Sequence, residues 1–362
     1  VEIGAGGGSL AQVDAMRQIR VGPESAGSEP GPACYGRGGK RPAVTDADLI
    51  LGKLDAENFA GGSIKLHPDQ SKDALDNHVG ETLGMDATEA AFGVAEVVDE
   101  NMANAARVHA VENGEDLSEY TMIAFGGAAP LHAGRLCEKL GVDRLLVPPG
   151  AGVGSAIGFL RAPFSFEANR SVYMRLSDFD PERIKTLLRD LNTEATGFVR
   201  SCDSESPIEA DYKVYMRYSG QGWEIPISLT EAQAMAPDAA EFEALFEAEY
   251  TKLFGRAVAG MDVEITVWSV NATTPPETVE PIKTTKASTA QAASGMRQIF
   301  DAGMGGFVRA QIVARTAMRK GDGVEGPAAL VEDETTIILP ASSNAVCQSD
   351  GCIDVIWKGA AQ

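Results

Sequence analysis

The chain has 362 residues, long enough for two or three domains with cores of their own. Apolar residues make up 44% and charged ones 23%, an ordinary balance for a globular protein, and no run of eighteen apolar residues exists to span a membrane. The formal net charge of -21 repels phosphate backbones, which argues against general nucleic-acid binding and otherwise serves solubility.

Five cysteines, Cys34, Cys137, Cys202, Cys347 and Cys352, are odd in number and form no C-x-x-C pair. That pattern argues against a disulfide framework and a zinc ribbon, and it fits a reducing cytoplasm. The histidines, His67, His78, His109 and His132, make no H-E-x-x-H or H-x-H group, so no metal site is expected from them. No signal-peptide pattern stands at Val1.

Residues 1–22 read as a strand, a glycine turn and a hairpin through "SLAQVDAM" and "QIRVG". Gly4, Gly6, Gly7 and Gly8 let backbone N–H groups approach an anion closely, and they suit a plain tight turn equally well. The run is not a complete phosphate-binding loop, which needs G-K-[ST]. Nor is it G-x-G-x-x-G, because Ser9 holds the last glycine position. Residues 23–42 are a long Gly/Pro loop of the kind that is either functional or disordered. Glu24 and Ser25 in it are weak catalytic candidates. Cys34 has no neighbouring histidine to activate it and reads as structural. In "VTDADLILGKL", Thr45 or Asp46 is the expected N-cap of a short helix. Asp14, Asp46 and Asp48 are isolated carboxylates open to a magnesium role, with Asp46 more simply a cap.

Residues 68–84 read as helical, and 87–113 more strongly so. Val94, Val98, Met102, Ala105 and His109 recur at three- and four-residue steps, and Gly114 follows as a stop. The small residues in this stripe imply close packing on a core. A strand over 121–125, a turn at Gly126–Gly127, a helix over 129–140 and a strand over 144–147 then give the βαβ signature of a parallel sheet. The loop "PPGAGVG" and a helix over 153–161 follow. "IAFGGAAPLHA" sets two glycines at the carboxyl end of a strand, where open α/β sheets bind ligands. A helix N-terminus that favours an anion comes next. The same glycines also suit a turn that binds nothing. His132, one turn into that helix, is either a satisfied core histidine or a site contact.

After Pro163 the texture changes. "ANRSVYMRLS" is a strand, 181–200 a helix, "IEADYKVYMRYSGQGWEIPISL" a hairpin with period-two alternation, 238–254 a helix and "MDVEITVWSVNATT" a strand. Residues 275–295 are linker-like, and strands with Gly turns fill the rest. The expected division is 1–164, an α+β domain over 165–275, and a linker with a β-rich segment over 276–362. No internal repeat is visible.

"IGAGGGSLAQVD", "RVGPESAGSEPGPACYGRGG", "VTDADLILGKL", "IAFGGAAPLHAGRL" and "LLVPPGAGVGSAIGFL" resemble, in that order, the hydantoinase A/oxoprolinase family. That family includes N-methylhydantoinase A, 5-oxoprolinase and the ATPase subunits of acetone and acetophenone carboxylases. The likeness is dense over 1–164 and looser through "RYSGQGWEI", "FGRAVAGMDVEI" and "GPAALVEDETTIILP". It implies an α/β, actin-like ATPase (ribonuclease H-like) half-domain followed by α+β and β-rich regions. It also implies ATP with Mg²⁺, used to phosphorylate an amide or enolate oxygen of a small-molecule substrate. By the same resemblance, "AFGGAAP" is the adenosine-side motif. Gly126, Gly127, Ala128 and Pro130, with Gly6, Gly7 and Gly8, are then the nucleotide-binding residues. Ala129 replaces a glycine usual in "GGAGPLH", and its methyl either tightens the adenine pocket or keeps nucleotide from seating. The family's phosphate loops and key aspartates lie upstream of such a stretch. The resemblance therefore implies the C-terminal half of a longer subunit or one piece of a split one. The partners it implies are the N-terminal ATPase half and a hydantoinase B-type subunit. A catalytically silent assembly subunit is the competing reading. A sugar-kinase-like enzyme is a third, and the lack of a D-x-G-x-T loop counts against it.

Overall fold

The computed structural model describes residues 2–359. The chain divides into two units: residues up to Gly158 together with those from Pro281 onward, and Phe159–Glu280.

The first unit opens on a hairpin, β1 (Ser9–Val13) and β2 (Ile19–Ser25), in antiparallel register. Helix α1 (Val44–Ile50) follows the Gly/Pro loop. It does not start at an Asp46 or Thr45 cap. Ala43 holds the N-cap position, and Asp46, one turn in, accepts from its backbone N–H at 2.8 Å. The same buried carboxylate accepts from the N–H groups of Ala33 and Cys34 at 3.0 and 2.7 Å and from the Ser71 hydroxyl at 2.6 Å. One carboxylate therefore satisfies donors from three segments and orders the loop.

Helices α2 (Pro68–Leu75) and α3 (Glu81–Leu83), joined by a π-helical turn, lead to α4 (Ala87–Asn113). Asp86 caps α4 by accepting from the Glu89 N–H, and Gly114 closes it at φ 70°. Ala90, Ala91, Val94 and Val98 are buried with Val44, Ala47 and Leu51 of α1 and the turn after it, the small side chains allowing close approach. The stripe does not reach His109. That residue is exposed with Val108 and Val111, because at this end the buried face of the helix is the one carrying Ala103 and Ala110.

Strand β3 (Met122–Ile123), helix α5 (Ala129–Leu140) and strand β4 (Arg144–Val147) form a parallel βαβ unit, with Met122 opposite Leu145. β3 is shorter than the expected 121–125. It is an edge strand with one neighbour, and Ile123 and Phe125 are exposed. Helix α6 (Gly154–Arg161) carries the chain onward.

The second unit holds β5 (Ser165–Arg170), β6 (Met174–Arg175), α7 (Pro181–Cys202), β7 (Glu209–Tyr218) and β8 (Ile225–Leu229). Helices α8 (Glu231–Met235) and α9 (Ala239–Phe254) and strand β9 (Val263–Thr273) complete it. Its sheet runs β5-β9-β7-β8, with β6 also on β9. Period-two alternation buries Tyr212, Val214, Met216 and Tyr218 of β7 under Ile184, Leu188 and Leu191 of α7 and Phe242 and Phe246 of α9.

The remaining strands are β10 (Thr289–Ala290), β11 (Gly295–Asp301), β12 (Gly306–Ala314), β13 (Asp322–Glu325), β14 (Ala328–Val331), β15 (Thr336–Leu339), β16 (Ser343–Cys347) and β17 (Ile353–Trp357). They return to the first unit. One sheet has the order β10-β13-β16-β17-β4-β3 and another β11-β12-β14-β15. β17 lies antiparallel to β4, and Asp354 takes both arms of Arg144 at 2.9 Å. Leu145, Val147, Val313, Leu330, Ile337 and Ile353 form the shared core. A division into consecutive segments does not express this, because the last strands finish a sheet begun some 200 residues earlier. All five cysteines are free, so Cys347 and Cys352 do not pair. No helix among the described residues is long and apolar enough to cross a membrane.

Candidate functional site

The two glycine turns singled out in the sequence meet at one cavity of about 480 Å³ in the first unit. Gly7 and Gly8 line one side, Gly127 and Ala128 another. A Cβ on Gly7 would lie 2.8 Å from the Thr45 hydroxyl, and one on Gly8 2.9 Å from that of Ser25, so any side chain there must displace a neighbour. The Gly7 carbonyl accepts both the backbone N–H and the hydroxyl of Thr45, each at 2.8 Å, which fixes the loop to the start of α1. Gly6 stands just outside the lining, its N–H donating to Ser9 Oγ at 3.1 Å.

The second turn is held as firmly. The Gly126 N–H donates to the Ala151 carbonyl at 2.6 Å, and the residue adopts φ 112°, a conformation that favours glycine. Gly127 is exposed, and its carbonyl accepts from the Thr335 hydroxyl at 2.8 Å. A Cβ on Gly127 would meet only the Glu334 carbonyl, at 3.5 Å. Pro130 is buried in the first turn of α5. Ala128 is the N-cap of that helix and gives it no side-chain cap. The free end of its backbone dipole therefore lies beside the cavity.

The rest of the lining is part apolar and part acidic. Tyr35, Leu54, Phe59, Leu131, Ile312 and Val331 supply flat and aliphatic surface. Asp55, Glu332, Asp333 and Glu334 supply carboxylates. Arg297 donates to Asp55 at 2.6 Å, while its Nη1 is buried without a hydrogen-bond partner. Glu332 pairs with Arg315 at 2.9 Å. Burial raises its carboxyl above the usual range, and the Arg315 charge opposes that rise.

Asp48 lies on the cavity wall and opens a buried row of charges. Its Oδ1 accepts from Lys53 at 2.8 Å, and its Oδ2 sits 3.1 Å from His132 Nε2. His132 Nδ1 sits 2.8 Å from Asp99 of α4. Burial opposes charge on His132, yet the Asp48 carboxylate and the bonds to both aspartates prevail and raise it to about 9. Burial likewise opposes ionisation of Asp48, and the His132 and Lys53 charges hold it far below the usual carboxylate range. His132 is thus an imidazolium at neutral pH and a satisfied core residue in direct contact with a cavity-lining group.

The other singled-out residues lie elsewhere. Glu24 is exposed and paired with Arg41, and Ser25 Oγ accepts from the Gly27 N–H; neither lines the cavity. Cys34 is buried; burial and then the Asp46 carboxylate push its thiol far up, which suits a structural role. Of the carboxylates open to magnesium, Asp14 pairs with Arg20, Asp46 is spent on its four donors, and Asp48 on Lys53 and His132. Among the described residues no three His, Cys, Asp or Glu side chains are grouped to hold a metal ion. Thr45 and Asp48, three apart on one helix, had a readable signal in their shared face. Arg297 and the 332–336 loop had none, being brought in by strands remote in sequence.

Residues 1–168 match a family model described as hydantoinase/oxoprolinase, and residues 181–353 match the hydantoinase/oxoprolinase C-terminal domain. The chain belongs to the hydantoinase/oxoprolinase family. It is 30% identical over 348 residues to the alpha subunit of caprolactamase from Pseudomonas jessenii, covering 93% of this chain and 49% of that one. The solved structure of the ATP-dependent caprolactamase from the same organism superposes with a TM-score of 0.74 at 28% identity, over 98% of this chain and 52% of that one. Nucleotide-free acetone carboxylase, solved in a study of ATP-dependent acetone carboxylation, shares the fold with a TM-score of 0.80 at 24% identity, over 98% and 52%. The chain spans about half the length of the curated relatives it matches. Several of these are named as subunits.

Proposed function

We propose that this chain forms the adenosine-side wall of an ATP site in an actin-like ATPase arrangement, within an enzyme that hydrolyses an amide or carboxylates a ketone. The observation that carries the reading is the convergence of the two glycine turns on one cavity. Gly126, Gly127, Ala128 and Pro130 would shape the seat of the base, where bare backbone accepts a flat ring. Gly7 and Gly8, with no side chain to hold a ligand off, would face the phosphates, and Gly6, tied to Ser9 Oγ, would shape the loop behind them. The apolar lining suits a purine, and the unpartnered Arg297 Nη1 leaves a donor for a ligand acceptor. Bound ATP would supply the phosphoryl group that activates an amide or enolate oxygen, and this chain's residues would hold and orient the nucleotide. Magnesium would be held by groups beyond those described, in the family's N-terminal ATPase half. A hydantoinase B-type subunit is the expected second partner, in the cytoplasm.

A second reading, a catalytically silent subunit of such a complex, draws on the five carboxylates that line the cavity against one arginine. That surface repels a triphosphate. Calorimetric titration with ATP-Mg²⁺ separates the two. The wild type should bind, and Gly127→Val should lose at least thirtyfold in affinity with its circular dichroism unchanged, because the added methyls occupy the seat of the base. No heat from the wild type favours the silent subunit.

A further inference from the structure

Among the described residues no backbone hydrogen bond joins the two glycine turns, although a Cβ on Gly7 would lie 3.9 Å from that of Ala128; both turns are tied to α1. At its first turn, Thr45 grips the Gly7 carbonyl through backbone and side chain, each at 2.8 Å. One turn later, Asp48 meets His132 at 3.1 Å. His132 lies one turn into α5, the helix that follows Gly127 and Ala128. On its far side Asp99 of α4 holds the ring at 2.8 Å, so the imidazole is fixed on both nitrogens.

We propose that His132 is a positioning residue: through Asp48 it clamps α5 to α1 and thereby sets the separation of the two glycine turns across the cavity. Its consequence for ligand binding rests on reading that cavity as a nucleotide site; the clamp itself does not. A neutral core residue of similar size would fill the space, but it would not bridge two carboxylates on separate helices. The charge is needed because Asp48 and Asp99 face the ring from either side. Lys53 on Asp48 is the other cation in the row, with Glu96 of α4 beyond it. When the ring loses its proton, one nitrogen becomes an acceptor facing a carboxylate, and one of the two ties is lost.

Hydrogen–deuterium exchange of the full chain without nucleotide tests the clamp. In His132→Ala, exchange should quicken at least fivefold both in residues 124–131 and in residues 4–9, which His132 does not touch. His132→Gln, which keeps one donor toward Asp48, should recover part of the protection. Acceleration confined to 124–131 in these variants overturns the proposal, since a merely local role would give that pattern. If His132→Ala does not fold, Asp99→Ala supplies the comparison; it frees the ring on one side and should loosen both segments more weakly. In parallel, ATP affinity measured by calorimetry should fall in the wild type as pH rises through about 9 and should be flat over that range in His132→Gln. Parallel pH profiles in the two proteins also overturn the proposal. A wild type that binds no ATP at all defeats the nucleotide reading, and the exchange pattern then decides the clamp by itself.

Discussion

His132 shows how one side chain sets a pH window. Its ordinary value is near 6.5, and the folded protein raises it to about 9. The stability it contributes is therefore complete below about 6.5 and is lost as pH climbs through 9. The melting temperature should fall between pH 7 and 9.5, and His132→Gln should remove most of that slope; an unchanged slope contradicts the assignment. Asp48 acts at the acid end. Its carboxyl is held below the usual range, so its share stays intact at neutral pH and is lost only in strong acid. Removing the ring altogether, as in His132→Ala, leaves two buried carboxylates facing a gap and should cost roughly 3–5 kcal/mol by chemical denaturation. The sequence places His132 one turn into a helix and leaves its role open. The partners that decide it, Asp48 and Asp99, lie 84 and 33 residues away, where no spacing rule reaches.

At the scale of elements, legibility follows locality. Helix α4 is bounded by Asp86 and Gly114 and helix α5 by Gly141, signals carried by single residues at fixed offsets. The βαβ unit follows from the same local grammar. The Gly/Pro loop does not, because its order comes from Asp46, a helix residue that reaches across to Ala33, Cys34 and Ser71. Asp46→Asn tests this. An amide in that place turns one acceptor into a donor that confronts backbone N–H groups, an exchange that should cost about 2–4 kcal/mol. Proteolysis should then cut within residues 26–42 before any other segment. Equal protection of that loop in the variant and the wild type would remove Asp46 from the account. Edge position likewise explains why β3 is shorter than its apolar run, since pairing on one side only leaves Ile123 and Phe125 in solvent.

Taken whole, the chain leaves its first unit at Gly158 and rejoins it at Pro281. The 159–280 unit has its own sheet and its own aromatic core around Trp268, Phe242 and Tyr218. Expressed separately, residues 159–280 should unfold cooperatively with a near-UV signal from buried Trp268. A chain truncated after Glu280 should lose the first unit, because β4 is stripped of β17 and Asp354 no longer meets Arg144. A soluble, cooperatively folding 1–158 fragment contradicts that. Antiparallel pairing across 210 residues carries no signal in the intervening sequence, and so this return could not be read from it. The nucleotide candidates were readable as two glycine clusters, whereas their meeting was a property of the fold. The measurement that bears most directly on that meeting is a crystal structure with adenosine 5′-(β,γ-imido)triphosphate. The purine should lie against Gly127 and Ala128, with the phosphate chain running toward Gly7 and Gly8. A nucleotide bound at another surface, or with its phosphates at the Gly127 side, would contradict it.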